Sequence, residues 1–463
     1  MWQALTRRKS VAAVKASEAL TDYRLKRTLS AFDLTCLGIG GIIGVGIFVI
    51  TGTAAAKFAG PGVVLSFGIS MVACILTALC YAEFASLLPV AGSAYNYAYA
   101  TLGEFFAWVI GWDLVLEYVV GAIAVAIGWS GYFVNILKTI GIDIPVWCSA
   151  APGTVPGAVM NLPAAIIVLL LTGLLVIGIK ESARFTTAMV FVKLAAIFTF
   201  IAVGIGKVEP AHWVPFMPFG FGGVVTGAAI VFFAYIGFDA ISTAAEEAKN
   251  PQRDLPIGII ASLAICTVLY IIVSAILTGV VHYTQLNTPA PIAFALTSLG
   301  YHWGSALVSA GAVTGLTSVL IVLLMGQPRI FFAMSRDGLL WPWAAAVHPK
   351  YRTPYRTQIL TGVIVAFFAA FVDIGTAAEL TNIGTLFAFA MVCGGIWVLR
   401  RTDPDLHRPF KCPWVPIVPL LGMLICSWLI YKLPLITQIR FIIWFLIGLV
   451  IYWIYGRKHS RLA

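Results

Sequence analysis

Three ionisable side chains lie inside runs that otherwise read as lipid-spanning. Lys193 sits in AMVFVKLAAIF, Asp239 in FFAYIGFDAISTAAEEAKNPQRDLP and Glu117 in WDLVLEYVVGA. Charge at such depth is costly and by default marks function. Lys193 is nine residues past Arg184, and Asp239 nine residues before Ala248. At about 1.5 Å per residue each is roughly 13 Å in from the same side. An ammonium and a carboxylate at one depth can pair. Glu117, 14 residues past Gly103 and so roughly 21 Å along its helix, can join them. Desolvation brings the titration of lysines and carboxylates toward neutral pH, which is the chemistry of a proton relay. The alternative is a fixed ion pair that holds helices together.

Other candidates carry less. Asp113, four residues before Glu117, reads as facing a wet vestibule, and Glu83 reads as structural. Glu246, Glu247 and Asp254 belong to a rim where Lys249, Arg253 or a basic loop can pair with them. The eight cysteines form no CxxC pair and the six histidines no HExxH cluster. Neither a disulfide, a metal site nor any other cofactor is expected.

The elements that must position these groups follow from composition. Of 463 residues, 60% are hydrophobic and 10% charged, and mean hydropathy is +0.97. Apolar runs of about 20 residues, the length that crosses a bilayer as a helix, recur from end to end. Twelve spans are expected, at 32–56, 62–88, 104–137, 161–179, 185–206, 221–247, 255–281, 303–334, 357–373, 377–399, 415–432 and 437–455. APIAFALTSLG is too short to cross and reads as a re-entrant or surface helix. No cleavable leader is expected, because the N-terminus is polar and basic through Arg27. With that end in the cytoplasm, 23 of the 29 lysines and arginines fall on the inner side and five outside. Both termini are therefore expected on the cytoplasmic side of the membrane. The net charge of +10 is then topological and calls for no nucleic acid.

Two spans are interrupted. GIGGIIGVGIF (Gly38–Phe48) has five glycines in eleven residues, and FFAYIGFDA is apolar through Ile236 before Gly237 and Asp239. Unpaired backbone groups in lipid cost several kcal/mol each unless they face protein or a cavity. Small-residue helix packing through Gly40 and Gly44 is the bland reading of the first stretch. A dinucleotide loop fails, since Ile43 stands where GxGxxG needs glycine. The interruptions lie five spans apart, and an odd repeat is inverted relative to its partner; such paired breaks point to a transporter's binding site. A half-helix beginning near Gly44 offers N–H groups and a positive dipole end to a carboxylate. A half-helix ending near Ile42, with the first half of the sixth span, offers carbonyls to an ammonium. Together they describe an α-amino acid.

GIGGIIGVGIF, FFAYIGFDAISTAAEEAKNPQRDLPIGI and GLTSVLIVLLMGQPRIFFAMSRDGLL resemble the amino acid–polyamine–organocation superfamily, and more narrowly a bacterial member of the cationic amino acid transporter family. The resemblance implies an all-α LeuT-type fold, a 5+5 inverted repeat with broken helices 1 and 6 and two further C-terminal helices. It divides the chain into a cytoplasmic tail (1–31), repeats at 32–206 and 221–399, two extra spans in 400–455 and a second tail (456–463). It also implies residue roles. The substrate carboxylate meets Gly44, Val45 and Gly46. The ammonium meets carbonyls of Ile42, Phe233, Ala234 and Ile236, with Ile43 and Tyr235 as neighbours and Phe233 as an outer gate. Thr317 and Ser318 join the side-chain pocket. Lys193 occupies a place where other members bind sodium, near Gly41 and Ser318.

The expectation is proton-coupled uptake of L-amino acids, neutral ones such as alanine or a broader, even cationic, range. Protons pass through Lys193, Asp239 or Glu117. The partners are then substrate, protons and membrane lipids, with an accessory subunit left open. Sodium coupling, amino acid/polyamine exchange, a nutrient-sensing receptor and a channel are the alternatives. The short tails disfavour a receptor, and no covalent catalysis is expected.

Overall fold

A computed structural model of the chain describes residues 29–88, 93–178, 183–239, 241–242, 247–351 and 353–460. Twelve apolar elements account for the twelve expected spans. In chain order they are α1 (Ala31–Ile42), α2 (Val63–Leu87), α3 (Glu104–Thr139), α4 (Leu162–Ile177), α5 (Ala183–Gly204), α6 (Gly220–Val231), α7 (Pro251–Val280), α8 (His302–Arg336), α9 (Tyr355–Phe371), α10 (Ile374–Thr402), α11 (Ile417–Lys432) and α12 (Leu435–Ile451). Among the described residues seven helical runs are long and apolar enough to cross a membrane, and five are shorter apolar helices. APIAFALTSLG holds an eight-residue helix, Pro291–Ser298.

Local chemistry sets several ends. Ser30 and Asp33 close a reciprocal capping box at the start of α1, which satisfies two N–H groups that would otherwise lack partners. Asp373 caps α10 through the Thr376 N–H, and α4 stops at Gly178 in the left-handed conformation. α4, α9 and α12 each expose an apolar face, among them Leu169 and Leu170, Val363 and Phe367, Ile443 and Leu446. Lipid is the solvent such faces need.

Helix contacts follow a rule of five. α1 packs on α7 as α6 packs on α2, α3 on α10 as α8 on α5, and α3 on α9 as α8 on α4; α2–α7, α3–α8 and α4–α9 map onto themselves. That exchange is the signature of two five-helix units related by inversion. α11 and α12 stand outside it. Trp112 on α3 and Trp444 on α12 stack with ring centroids 4.5 Å apart, and each indole N–H donates to the other's carbonyl.

The first helix is broken. α1 ends at Ile42, and the chain resumes helical hydrogen bonding from Gly46 through Ala59. α6 tightens into a 3-10 turn over Phe232–Tyr235. Ile236 is then extended (φ −60°, ψ 136°), and Gly237 has φ +117°, a conformation that favours glycine. The remainder of the expected sixth span lies partly outside the described residues.

Candidate functional site

The last four carbonyls of a helix have no partner within it. Those of α1 are Ile39, Gly40, Gly41 and Ile42, and three of them receive a donor. Ile43 N–H donates to Ile39 O at 2.9 Å. Lys193 Nζ donates to Gly40 O at 2.6 Å, placing a cation at the negative end of the helix dipole. The Tyr270 hydroxyl lies 2.9 Å from Ile42 O and 2.8 Å from Ala234 O. Gly41 borders the cavity described below, and its carbonyl packs against Gly237. Lys193 is fully buried, and Gly315 on α8 makes room for it; a Cβ there would come within 2.8 Å of Lys193 Cε.

The two breaks touch backbone to backbone. A Cβ on Gly237 would lie 2.7 Å from the carbonyl carbon of Gly41, and one on Gly46 would overlap Ala234. Here the glycines do more than let the chain unwind: they let two unwound stretches meet. Asp239 holds the second stretch in shape by accepting the Gly237 N–H at 3.2 Å. Asn382 on α10 donates to Ala229 O and Ile230 O of α6 at 2.8 and 2.9 Å.

A cavity of about 60 Å³ opens between the breaks. At about 10–15 Å³ per water-sized sphere it has room for roughly four to six such atoms. Gly41, Gly44 and Gly46 line it from the first segment, Phe233, Gly237 and Asp239 from the sixth, Glu117 and Gly121 from α3, and Val319, Val322 and Leu323 from α8. The start of the resumed first segment, Gly44–Gly46, and the end of α1, Gly41 and Ile42, both border this space. The side-chain lining is mainly apolar, with two carboxyl groups in it.

The expected residues divide. Ile42, Gly44, Val45, Gly46, Glu117, Phe233, Ile236 and Asp239 border the cavity. Ile43, Ala234 and Tyr235 are buried beside it, Tyr235 donating to Phe67 O. Thr317 turns away to accept the Trp129 N–H at 2.9 Å, and Ser318 donates to Gly315 O. Asp113 faces no vestibule, being only 2% exposed. Asp254 accepts the Asn250 N–H at the start of α7, and Glu246 lies outside the described residues.

The sequence model of a family described as amino acid permease matches residues 29–460. The chain belongs to that family. Among its relatives are a methylthioribose transporter of Bacillus subtilis, 52% identical over 438 residues (95% of each chain), and a branched-chain amino acid permease of the same organism, 51% identical over 459 residues (98% of each). A vacuolar cationic amino acid transporter of Arabidopsis thaliana is 40% identical over 410 residues, 87% of this chain and 68% of that protein. The broader expectation, an amino acid permease of the amino acid–polyamine–organocation superfamily, is thus met. The narrower one is not singled out, since the cationic transporters stand below the two bacterial proteins in identity. As an amino acid permease the chain is a transporter and not an enzyme.

Tyr270 and Asn382 escaped the sequence reading. A polar side chain in an apolar span is itself a signal for interhelical hydrogen bonding, but nothing local tells which backbone it reaches. Tyr270 has one proton for two acceptors, so it can donate to one break at a time. The permease therefore holds its two unwound segments through a hydroxyl, an ammonium and an amide, each from a different helix.

Proposed function

We propose that the protein drives uptake of neutral, apolar L-amino acids into the cell with protons, by alternating access, from a bacterial cytoplasmic membrane with both termini inside. The observation that carries this is the meeting of the two breaks at one cavity. N–H groups at the start of the resumed segment, Gly44–Gly46, suit a carboxylate, and carbonyls at the end of α1 suit an ammonium. Ile42 O and Ala234 O already have Tyr270 as donor, and Phe233 O accepts the Ile236 N–H; the substrate ammonium shares these acceptors. Val319, Val322 and Leu323 suit an apolar side chain, which agrees with the name of the branched-chain amino acid permease of Bacillus subtilis. Repeats at 32–206 and 221–399 move against one another in this reading.

Lys193 fills the position a sodium ion would need, and its bond to Gly40 O ties proton occupancy to the shape of the first break. Glu117 and Asp239 are the carboxyl partners. One charge crossing the membrane is worth about 2.3 kcal/mol per 100 mV, enough for tens-fold accumulation. A second reading, transport of an uncharged thioether sugar, draws on the methylthioribose relative.

The test is uptake into proteoliposomes under an imposed pH gradient, with and without sodium, using leucine, alanine, arginine and methylthioribose as competitors. Accumulation of leucine or alanine that follows the pH gradient and ignores sodium is expected. Uptake that needs sodium, or that only methylthioribose inhibits, overturns the proposal.

A further inference from the structure

Asp113 is a buried carboxyl group with no use in the scheme above. It stands on α3 one helical turn before Glu117, and among the described residues neither of its oxygens has a hydrogen-bond partner. α10 crosses it at Gly384, where a Cβ would come within 3.0 Å of Asp113 Oδ1 and 3.9 Å of Glu117 Cβ. The two carboxyl groups thus lie in one α3–α10 seam, their Cβ atoms about 5–6 Å apart as i and i+4. Glu117 faces the cavity. Asp113 lies behind it, toward the start of α3 at Glu104. The ionisable neighbour that acts on it is Glu117; from α10 it meets Gly384, flanked by Thr381 and Thr385.

Structural carboxylates in this protein look different. Glu83 receives two guanidinium groups and a peptide N–H. Glu104 receives the hydroxyls of Tyr452 and Ser460. A neutral carboxyl buried without partners costs about 1–3 kcal/mol, and an ionised one more. Asp113 carries that cost and returns none of those bonds.

We propose that Asp113 is a proton-carrying residue that takes the proton leaving Glu117 and passes it toward the start of α3. This rests on the proton-coupled reading above. With the seam closed, Asp113 keeps its proton and stays neutral. When the seam admits water, the Asp113 O–H breaks and a hydronium forms. The Glu117 O–H then breaks as a new Asp113 O–H forms, leaving Glu117 ionised at the cavity. One bond to hydrogen is lost and one made at each step.

The experiment uses the full chain in proteoliposomes, with an interior pH dye and labelled leucine read together, and counterflow at equal pH as the uncoupled readout. Asp113→Asn is expected to lose both acidification and gradient-driven accumulation, to keep counterflow, and to lose the infrared carbonyl stretch of a protonated carboxyl. Asp113→Glu is expected to restore proton flux at a lower rate and to shift that stretch. Wild-type acidification and accumulation in Asp113→Asn overturn the inference. So does joint loss of counterflow and proton flux in a variant that melts like wild type. Should Asp113→Asn not fold, an unchanged infrared band in Asp113→Glu overturns it. Absence of proton flux in the wild-type protein fails the proton-coupled reading itself. Proton flux present in both wild type and Asp113→Asn fails Asp113 alone.

Discussion

Asn382 stands to the sixth segment as Lys193 stands to the first. Lys193 on α5 donates to Gly40 O near the end of α1, and Asn382 on α10 donates to Ala229 O and Ile230 O near the end of α6. Each pair is related to the other by five helices. The two repeats thus brace their unwinding carbonyls with the same device, once as an ammonium and once as an amide. Of the two donors only the ammonium can release a proton; the amide is fixed. Asn382→Leu keeps the branched side-chain shape and removes both N–H donors. Each net bond is worth about 0.5–1.5 kcal/mol, so unfolding stability should fall by about 1–3 kcal/mol. Thermal denaturation in detergent checks this, and substrate affinity should weaken in parallel.

Tyr270→Phe isolates the hydroxyl shared by Ile42 O and Ala234 O. The ring contacts with Phe67 and Tyr235, at centroid distances of 5.3 and 5.4 Å, survive the change. The variant should stay folded while its two breaks lose their common donor. A tenfold or greater loss in transport rate, corresponding to about 1.4 kcal/mol, is expected, with a smaller change in melting temperature. Unaltered uptake would show that the hydroxyl is incidental to the movement of the two segments.

Much of this architecture was legible in the residues. Lipid forces spans to declare themselves as long apolar runs, and an interruption costs enough that glycine, aspartate and lysine there had to mean something. Edges shifted little; the fourth span, expected at 161–179, is Leu162–Ile177. Helical phase was not legible. The cavity is lined from α8 by Val319, Val322 and Leu323, at spacings of three and four. Thr317 is two residues from Val319 and so about 200° around the helix at 3.6 residues per turn, which turns it to Trp129. Thr317 and Ser318 bond back to their own helix, so polarity in α8 does not announce which side meets the substrate. Asp113 was misplaced for a related reason: Gly384, distant in sequence, lets α10 cover it.

Glu83 supplies a contrast with Asp113 and Glu117. It is fully buried on α2, holds Arg400 Nη2 at 2.8 Å and Arg408 Nε at 3.2 Å, and accepts the Cys412 N–H at 2.8 Å. This node ties the loop between α10 and α11 to α2. Removing one partner of a buried ion pair costs about 3–5 kcal/mol, and Arg408 is buried as well. Glu83→Ala should therefore reduce folded yield and melting temperature far more than any of the site variants. Whatever folded fraction remains should keep its response to a pH gradient, which proteoliposome uptake per folded molecule would measure.

Gly121 sets the reach of the cavity. It lies on α3 one turn past Glu117, and a Cβ there would meet Leu323 Cδ1 and Thr381 Cγ2, each at 3.6 Å. That is ordinary van der Waals contact within a regular helix, so Gly121→Ala fits without moving the backbone. The added methyl takes its volume from a space of about 60 Å³. A small substrate should lose little, whereas a branched one must give up contacts or displace Leu323. One methylene of discrimination in an apolar pocket is worth about 1–3 kcal/mol, or roughly 10–200-fold. In a competition series of alanine, valine, leucine and phenylalanine, inhibition by leucine and phenylalanine should weaken by that factor while alanine stays within about twofold. A uniform loss across the series would mean that the side chain of the substrate points elsewhere, away from the wall formed by α3 and α8.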